Sequence, residues 1–278
     1  MSANKENVED IVFLLKSYRK DIEYYHKLVD SFIRFNADNI KMYVVVPEDD
    51  CELFKVDDDN IHILNEKTLI GSDNYVSKTC FSKGYIDQQI IKLSFWELGL
   101  CENYFCIDTD STFIKYFHKA DFINALGVPY TIFYDDCELM TDPKYYAEYG
   151  KARMRYNTII RDYLDIADDD YLFSCHGFAI ISSRVMQSFK EKVLEVRKVT
   201  YRDLLEKAPI EFTWYNYWLQ KSRVIAIYPK SPLFKTYHTK KQFLIDVDKG
   251  VTKKELLRYY LGIVINSNFG RGNDGYDF

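Results

Sequence analysis

The sequence predicts an α/β fold with a mixed, mainly parallel central sheet flanked by helices. Two observations carry that expectation. Over the first 110 residues, short apolar runs alternate with longer amphipathic stretches, the signature of strands joined by crossover helices. The runs are also nearly continuous in apolar residues, which fits strands covered on both faces rather than half-exposed ones. At 47% hydrophobic and 17% aromatic over 278 residues, the composition supplies a sizeable core and excludes a chain dominated by disorder.

"IVFLLKSY" (11–18) is the first expected strand. "DIEYYHKLVDSFIRF" (21–35) follows as a helix, with Ile22, Tyr25, Val29, Phe32 and Ile33 on its apolar stripe. "KMYVVVPEDD" (41–50) and "NIHILNE" (60–66) are the second and third strands. After a polar loop, "YIDQQIIKLSFWELG" (85–99) reads as a helix closed by Gly99 at its C-terminal cap. Ile86, Ile90 and Leu93 form its core stripe, and Gln89, Lys92 and Trp96 a second stripe beside it. That helix leads into "NYFCIDTDST" (103–112), an apolar strand ending in Asp108 and Asp110.

The second half is less regular. Strands are expected in "PYTIFYDD" (129–136), in "YLFSCHGFAIIS" (171–182, interrupted at Gly177) and in "RVIAIYP" (223–229). Helices are expected over 145–164, 183–198 and 210–221, with a C-terminal segment wrapped onto the domain.

Composition narrows the function classes. No run approaches the roughly 18 uninterrupted apolar residues of a membrane span, and the polar start "MSANKENVED" has no signal-peptide core, so a cytoplasmic protein is expected. Six cysteines fall singly, which suits reduced packing residues rather than a zinc site. The net charge of −5 is uneven: residues 221–278 carry 11 Lys+Arg against 5 Asp+Glu (+6), leaving 26 against 37 (−11) over 1–220. An acidic bulk argues against nucleic-acid binding. The basic end suits a pyrophosphate, the inner face of an anionic membrane, the acidic bulk of the chain itself, or simply solvent.

Asp-x-Asp strings occur at 57/59, 108/110, 168/170 and 246/248, but only 108/110 follows a buried strand preceded by a helix. Ligands of parallel α/β sheets gather at such strand ends. Two chemistries want paired carboxylates there. The pair can hold Mn²⁺ or Mg²⁺ against a nucleotide diphosphate, where the cation stabilises the departing charge. Alternatively "DTDST" is the D-x-D-x-T of a haloacid dehalogenase-like phosphatase, with Asp108 as nucleophile, Asp110 as acid and Thr112 holding the phosphoryl group. A non-catalytic sugar-nucleotide-binding protein is the third reading.

Taken in order, "IVFLLKSY", "YIDQQIIKLSFWELG", "FCIDTDSTF", "SCHGFAIISSRV", "IEFTWYNYW" and "YHTKK" resemble nucleotide-sugar glycosyltransferases of the GT-A fold, particularly bacterial enzymes that build surface polysaccharides such as capsule and lipopolysaccharide. The resemblance implies one domain over 1–278: a nucleotide-binding half (1–110), an acceptor half (111–250) and a C-terminal helix and tail (251–278). It implies transfer of a sugar from a nucleotide diphosphate donor, UDP-linked, to an oligosaccharide or lipid-linked glycan. Asp108, Asp110 and His238 would bind the metal, with Lys235, Lys240 and Lys241 adding positive charge beside His238. Tyr18, Gln89, Lys92, Asp108 and Lys240 would meet the donor. Glu211 would deprotonate the acceptor hydroxyl, although Phe212 stands where the family pattern often has a second acid. His176, Gly177 and Trp214 would face the acceptor. Read from the residues alone, His176 also suits a core position, Trp214 with Tyr215 and Trp218 a core face, and Gln89 and Lys92 an exposed helix face.

Overall fold

The computed structural model describes residues 8–71, 75–78, 81–133, 142–167 and 178–266. In chain order it contains β1 (Val12–Lys16), α1 (Ile22–Phe35), β2 (Met42–Val46), β3 (Ile61–Asn65), α2 (Lys67–Ile70), α3 (Lys83–Ser94), β4 (Asn103–Ile107), β5 (Ser111–Phe113), β6 (Tyr130–Ile132) and α4 (Pro143–Tyr163). There follow β7 (Ile180–Ser182), α5 (Ser183–Phe189), α6 (Glu195–Arg197), α7 (Tyr201–Leu205), α8 (Glu211–Ser222), β8 (Tyr228–Lys230), β9 (Phe234–Tyr237), α9 (Lys240–Asp248), α10 (Lys253–Leu256) and β10 (Gly262–Ile265).

The central sheet has strand order β3-β2-β1-β4-β7. Its first four strands are parallel, and β7 runs antiparallel to β4. This is the mixed, mainly parallel, Rossmann-like arrangement that the apolar runs predict. Helices lie on both faces because adjacent side chains on a strand point to opposite sides. Phe13 of β1 and its register partner Phe105 of β4 face α1, with Phe13 edge-on to Phe32 at 5.2 Å. Tyr104 faces the other way, and its hydroxyl donates to the Lys92 carbonyl of α3 at 2.7 Å.

On α1 the buried stripe is Tyr25, Leu28, Val29 and Phe32. Ile22 is only partly buried at the start of the helix, and Ile33 is exposed, so the buried stripe is centred on Leu28 and Val29 and not shared by every apolar residue at helical spacing. Helix α3 starts two residues before the expected boundary, where Ser82 accepts from the Tyr85 backbone N–H. A 3₁₀ turn (Phe95–Leu98) continues it to Gly99, which ends it in the left-handed region at φ 67°.

The later elements depart further from expectation. The 223–229 strand shrinks to Tyr228–Lys230, which pairs with β6; Arg223 sits at φ 50° and ends α8 there. Strands β5, β9 and β10 were not expected; they form a second, three-stranded sheet in the order β5-β10-β9. The expected C-terminal helix is therefore a single turn, α10, followed by a strand. "GIVI" has the β-branched character that favours a strand, and it finds partners on both sides. Beneath α9 and α10 lies a small apolar cluster of Ile114, Tyr237, Phe243, Leu256 and Ile263, set apart from the main core. Among the described residues no helix is long and apolar enough to cross a membrane.

Candidate functional site

Asp108 and Asp110 lie where β4 leaves the sheet. The Ser111 N–H donates to the Asp108 carbonyl, tightening the turn into β5, and the Ile265 N–H donates to the Asp110 carbonyl. The second sheet is thereby stitched to the end of the first.

Two clefts meet at this point. The larger, about 590 Å³, runs along the carboxyl ends of β1, β2 and β4; Lys16, Tyr18, Pro47, Glu66, Asp108 and Asp110 line it. The smaller, about 270 Å³, lies between α3, α4 and α8 and is lined by Gln89, Lys92, Tyr149, Arg153, Glu211 and Phe212 among others. Tyr85, Gln88, Asp108 and Asn266 belong to both.

The residue opposite the aspartate pair is Lys92. Its Nζ lies 3.1 Å from Asp108 Oδ1 and 3.2 Å from Glu211 Oε1, and 4.9 Å from the centre of the Phe212 ring. The Gln89 amide abuts the Glu211 carboxylate, and the orientation that turns its NH₂ toward those oxygens lets it donate to them. Gln89, Lys92 and Glu211 are all buried. Burial alone would lower the Lys92 pKa, but the charges of Asp108 and Glu211 outweigh it and hold the ammonium above its ordinary value. Burial raises the Glu211 carboxyl above the ordinary range, against the pull of Lys92.

Tyr18 stands half-exposed at the end of β1 on the larger cleft, as expected. Gln89 and Lys92 turn toward Glu211 and line the smaller cleft rather than the larger one. Lys240 is exposed in the first turn of α9 and lines neither cleft. Lys235 pairs with Asp246 at 3.3 Å.

His238 stands away from both clefts. It follows β9 as a buried side chain stacked 6.2 Å from Tyr145, and burial holds its imidazole down at about 4. It lines neither cleft, and among the described residues no group of three His, Cys, Asp or Glu side chains gathers to hold a metal. Asp108 and Asp110 are the carboxylates brought together at the site. Trp214 is a correction: it is fully buried, donates from Nε1 to the Ala208 carbonyl at 2.8 Å and packs edge-on against Tyr163. With Tyr215 and Trp218 it forms core, since α8 buries nearly its whole circumference between α4 and α5. His176 and Gly177 lie outside the described residues.

Several lining residues were not anticipated. Tyr85 donates to the Pro209 carbonyl at 3.2 Å, on the wall shared by both clefts. Arg153 is buried on an otherwise polar helix and donates to the Tyr149 hydroxyl at 2.7 Å. Gln88 and Asn266 carried no signal, because one neighbours a residue of the stripe and the other follows an unexpected strand.

No curated protein matches the sequence. A family model described as "Family of unknown function (DUF6492)" matches residues 10–257. The chain, sheet, paired clefts and aspartate turn included, belongs to the DUF6492 family.

Proposed function

We propose that the protein is a metal-dependent glycosyltransferase of the GT-A type, moving a sugar from a UDP-linked donor onto a glycan acceptor in bacterial surface-polysaccharide synthesis. The observation that carries this reading is the pair of clefts joined at Asp108, one ending at the paired aspartates and the other holding a buried glutamate.

The larger cleft suits the donor. Tyr18 offers an aromatic face at the end of β1, and the aspartates line the same cleft. A cation such as Mg²⁺ commonly takes one or two protein carboxylates and completes its shell with water and substrate phosphates. Asp108 and Asp110 fit that pattern without His238. When bound, the metal would neutralise charge on the diphosphate. The smaller cleft suits the acceptor. Glu211 is made more basic by burial and stands 3.2 Å from the Lys92 ammonium, so its carboxylate can take the proton of an attacking hydroxyl. Gln89 and Lys92 hold the carboxylate in place while it does so. The phosphatase reading asks Thr112 to hold a phosphoryl group beside Asp108; Thr112 sits on β5 and lines neither cleft.

Thermal unfolding with UDP, with and without Mn²⁺, tests the donor site. A stabilisation that needs both and disappears in Asp110→Ala supports it; no shift with any nucleotide diphosphate sinks it. UDP-sugar hydrolysis retained in wild type and lost in Glu211→Gln then separates an enzyme from a binding protein.

A further inference from the structure

The C-terminal face carries a basic surface with exposed apolar side chains among its cations. Along residues 241–258 five exposed cations, Lys241, Lys249, Lys253, Lys254 and Arg258, stand against two exposed acids, Asp248 and Glu255. Glu255 is already engaged with the Thr252 N–H and hydroxyl. Helix α9 turns Gln242 and Phe243 inward and leaves Leu244 and Val247 outward, 41% and 45% exposed. Three residues apart, they share one helical face with Lys241 and Asp248. Nearby, the Ile114 N–H donates to the Leu261 carbonyl and Lys115 Nζ to the Leu257 carbonyl. These bonds tie the segment bearing Tyr116 to the one bearing Tyr259, and the two rings are 65% and 72% exposed.

We propose that α9, α10 and this tyrosine edge dock the protein on an anionic membrane surface. Lysines around a small apolar face, with tyrosines at the rim, are what an interface of acidic headgroups over acyl chains rewards. Residues 1–220, at −11, would be repelled by the same surface, which favours approach by the basic C-terminal end. The face is also joined to the candidate site. Strand β10 leaves it, gives the Ile265 N–H to the Asp110 carbonyl and ends beside Asn266, which lines both clefts. The docking stands independently of the glycosyltransferase reading; if that reading holds as well, the acceptor is carried on lipid.

Vesicle flotation of the full chain tests the proposal, with phosphatidylcholine alone against phosphatidylcholine mixed with phosphatidylglycerol. The protein should float only with the anionic vesicles and be released at about 1 M salt, where the screening length falls to about 3 Å. Lys253→Gln/Lys254→Gln should weaken partitioning on the order of 25-fold, at roughly fivefold for each lysine near the surface. Leu244→Ser/Val247→Ser should weaken it through lost apolar contact while the salt dependence remains. All four side chains are exposed, so an unchanged thermal midpoint confirms folding of the variants. Equal binding to neutral vesicles, no flotation at all, variants that float like wild type, or capture by an RNA homopolymer in preference to vesicles would each overturn it.

Discussion

The Lys92 ammonium lies 3.2 Å from Glu211 Oε1, and both side chains are almost wholly buried, at 5% and 8% exposure. A helix before the aspartate strand is thereby coupled to a helix that begins about a hundred residues later in the chain. The arrangement answers how a charge can end the apolar strand β4: the same lysine that holds Glu211 also compensates Asp108. It further means that either carboxylate would feel a change at the other, because one cation serves both.

Lys92→Met should therefore destabilise strongly. The substitution keeps the length of the side chain but leaves the buried Glu211 without its cation. Removing one partner of a buried pair typically costs about 3–5 kcal/mol. Denaturant unfolding should show a loss of that size, and Lys92→Met/Glu211→Gln should regain part of it because no unpaired charge is left. A single variant as stable as wild type would show that water or another group compensates Glu211.

The pH dependence of donor hydrolysis should carry the mark of Glu211. Its pKa is raised by burial, with Asp108 adding to the rise and Lys92 opposing it. The acid limb of kcat/KM should thus lie above the ordinary glutamate value of about 4.3. Gln89→Leu removes a donor to the charged form and should move that limb to still higher pH. Stability follows the same sign. The folded state holds the Glu211 proton more tightly than the unfolded chain, so this group's contribution is full below the unfolded pKa and is lost as pH rises through the folded one. Glu211→Gln should abolish both effects. A limb in the ordinary carboxylate range, unmoved by Gln89→Leu, would remove Glu211 as the base.

Much of this was legible in the residues. Three of the four parallel strands, β1, β2 and β4, announce themselves because strands buried on both faces are nearly continuous in apolar residues, and Asp108 and Asp110 stand out against that background. The α3 stripe also placed Gln89 and Lys92 on one face, though without revealing that Glu211 is what they meet; such a contact depends on tertiary packing that a single stripe does not encode. The aromatic residues of α8 misled for a related reason. Trp214, Tyr215 and Trp218 read equally as a sugar platform or as core, and only the packing of α4 and α5 around α8 decides it. His238 was singled out by its place in the resemblance, and its burial beside Tyr145 depends on tertiary packing that sequence position does not encode. The second sheet was invisible because three- and four-residue strands are too short to show a period.

Gly262 tests whether that second sheet supports the site. It is the first residue of β10, between β5 and β9. A Cβ there would run into the Phe234 ring and stand 2.6 Å from the Thr112 carbonyl oxygen. The ring can turn, but the carbonyl belongs to the β5 backbone, so β5 and β10 must separate. Gly262→Ala should cost about 1–3 kcal/mol, the usual penalty for overpacking. Phe234→Leu should not rescue it, because the backbone clash remains. The displacement should also reach the clefts through the Ile265–Asp110 bond and Asn266, weakening UDP–Mn²⁺ stabilisation by more than the loss of fold alone explains. Calorimetric binding on the folded fraction separates the two effects: unchanged UDP affinity in Gly262→Ala would confine β10 to a structural role.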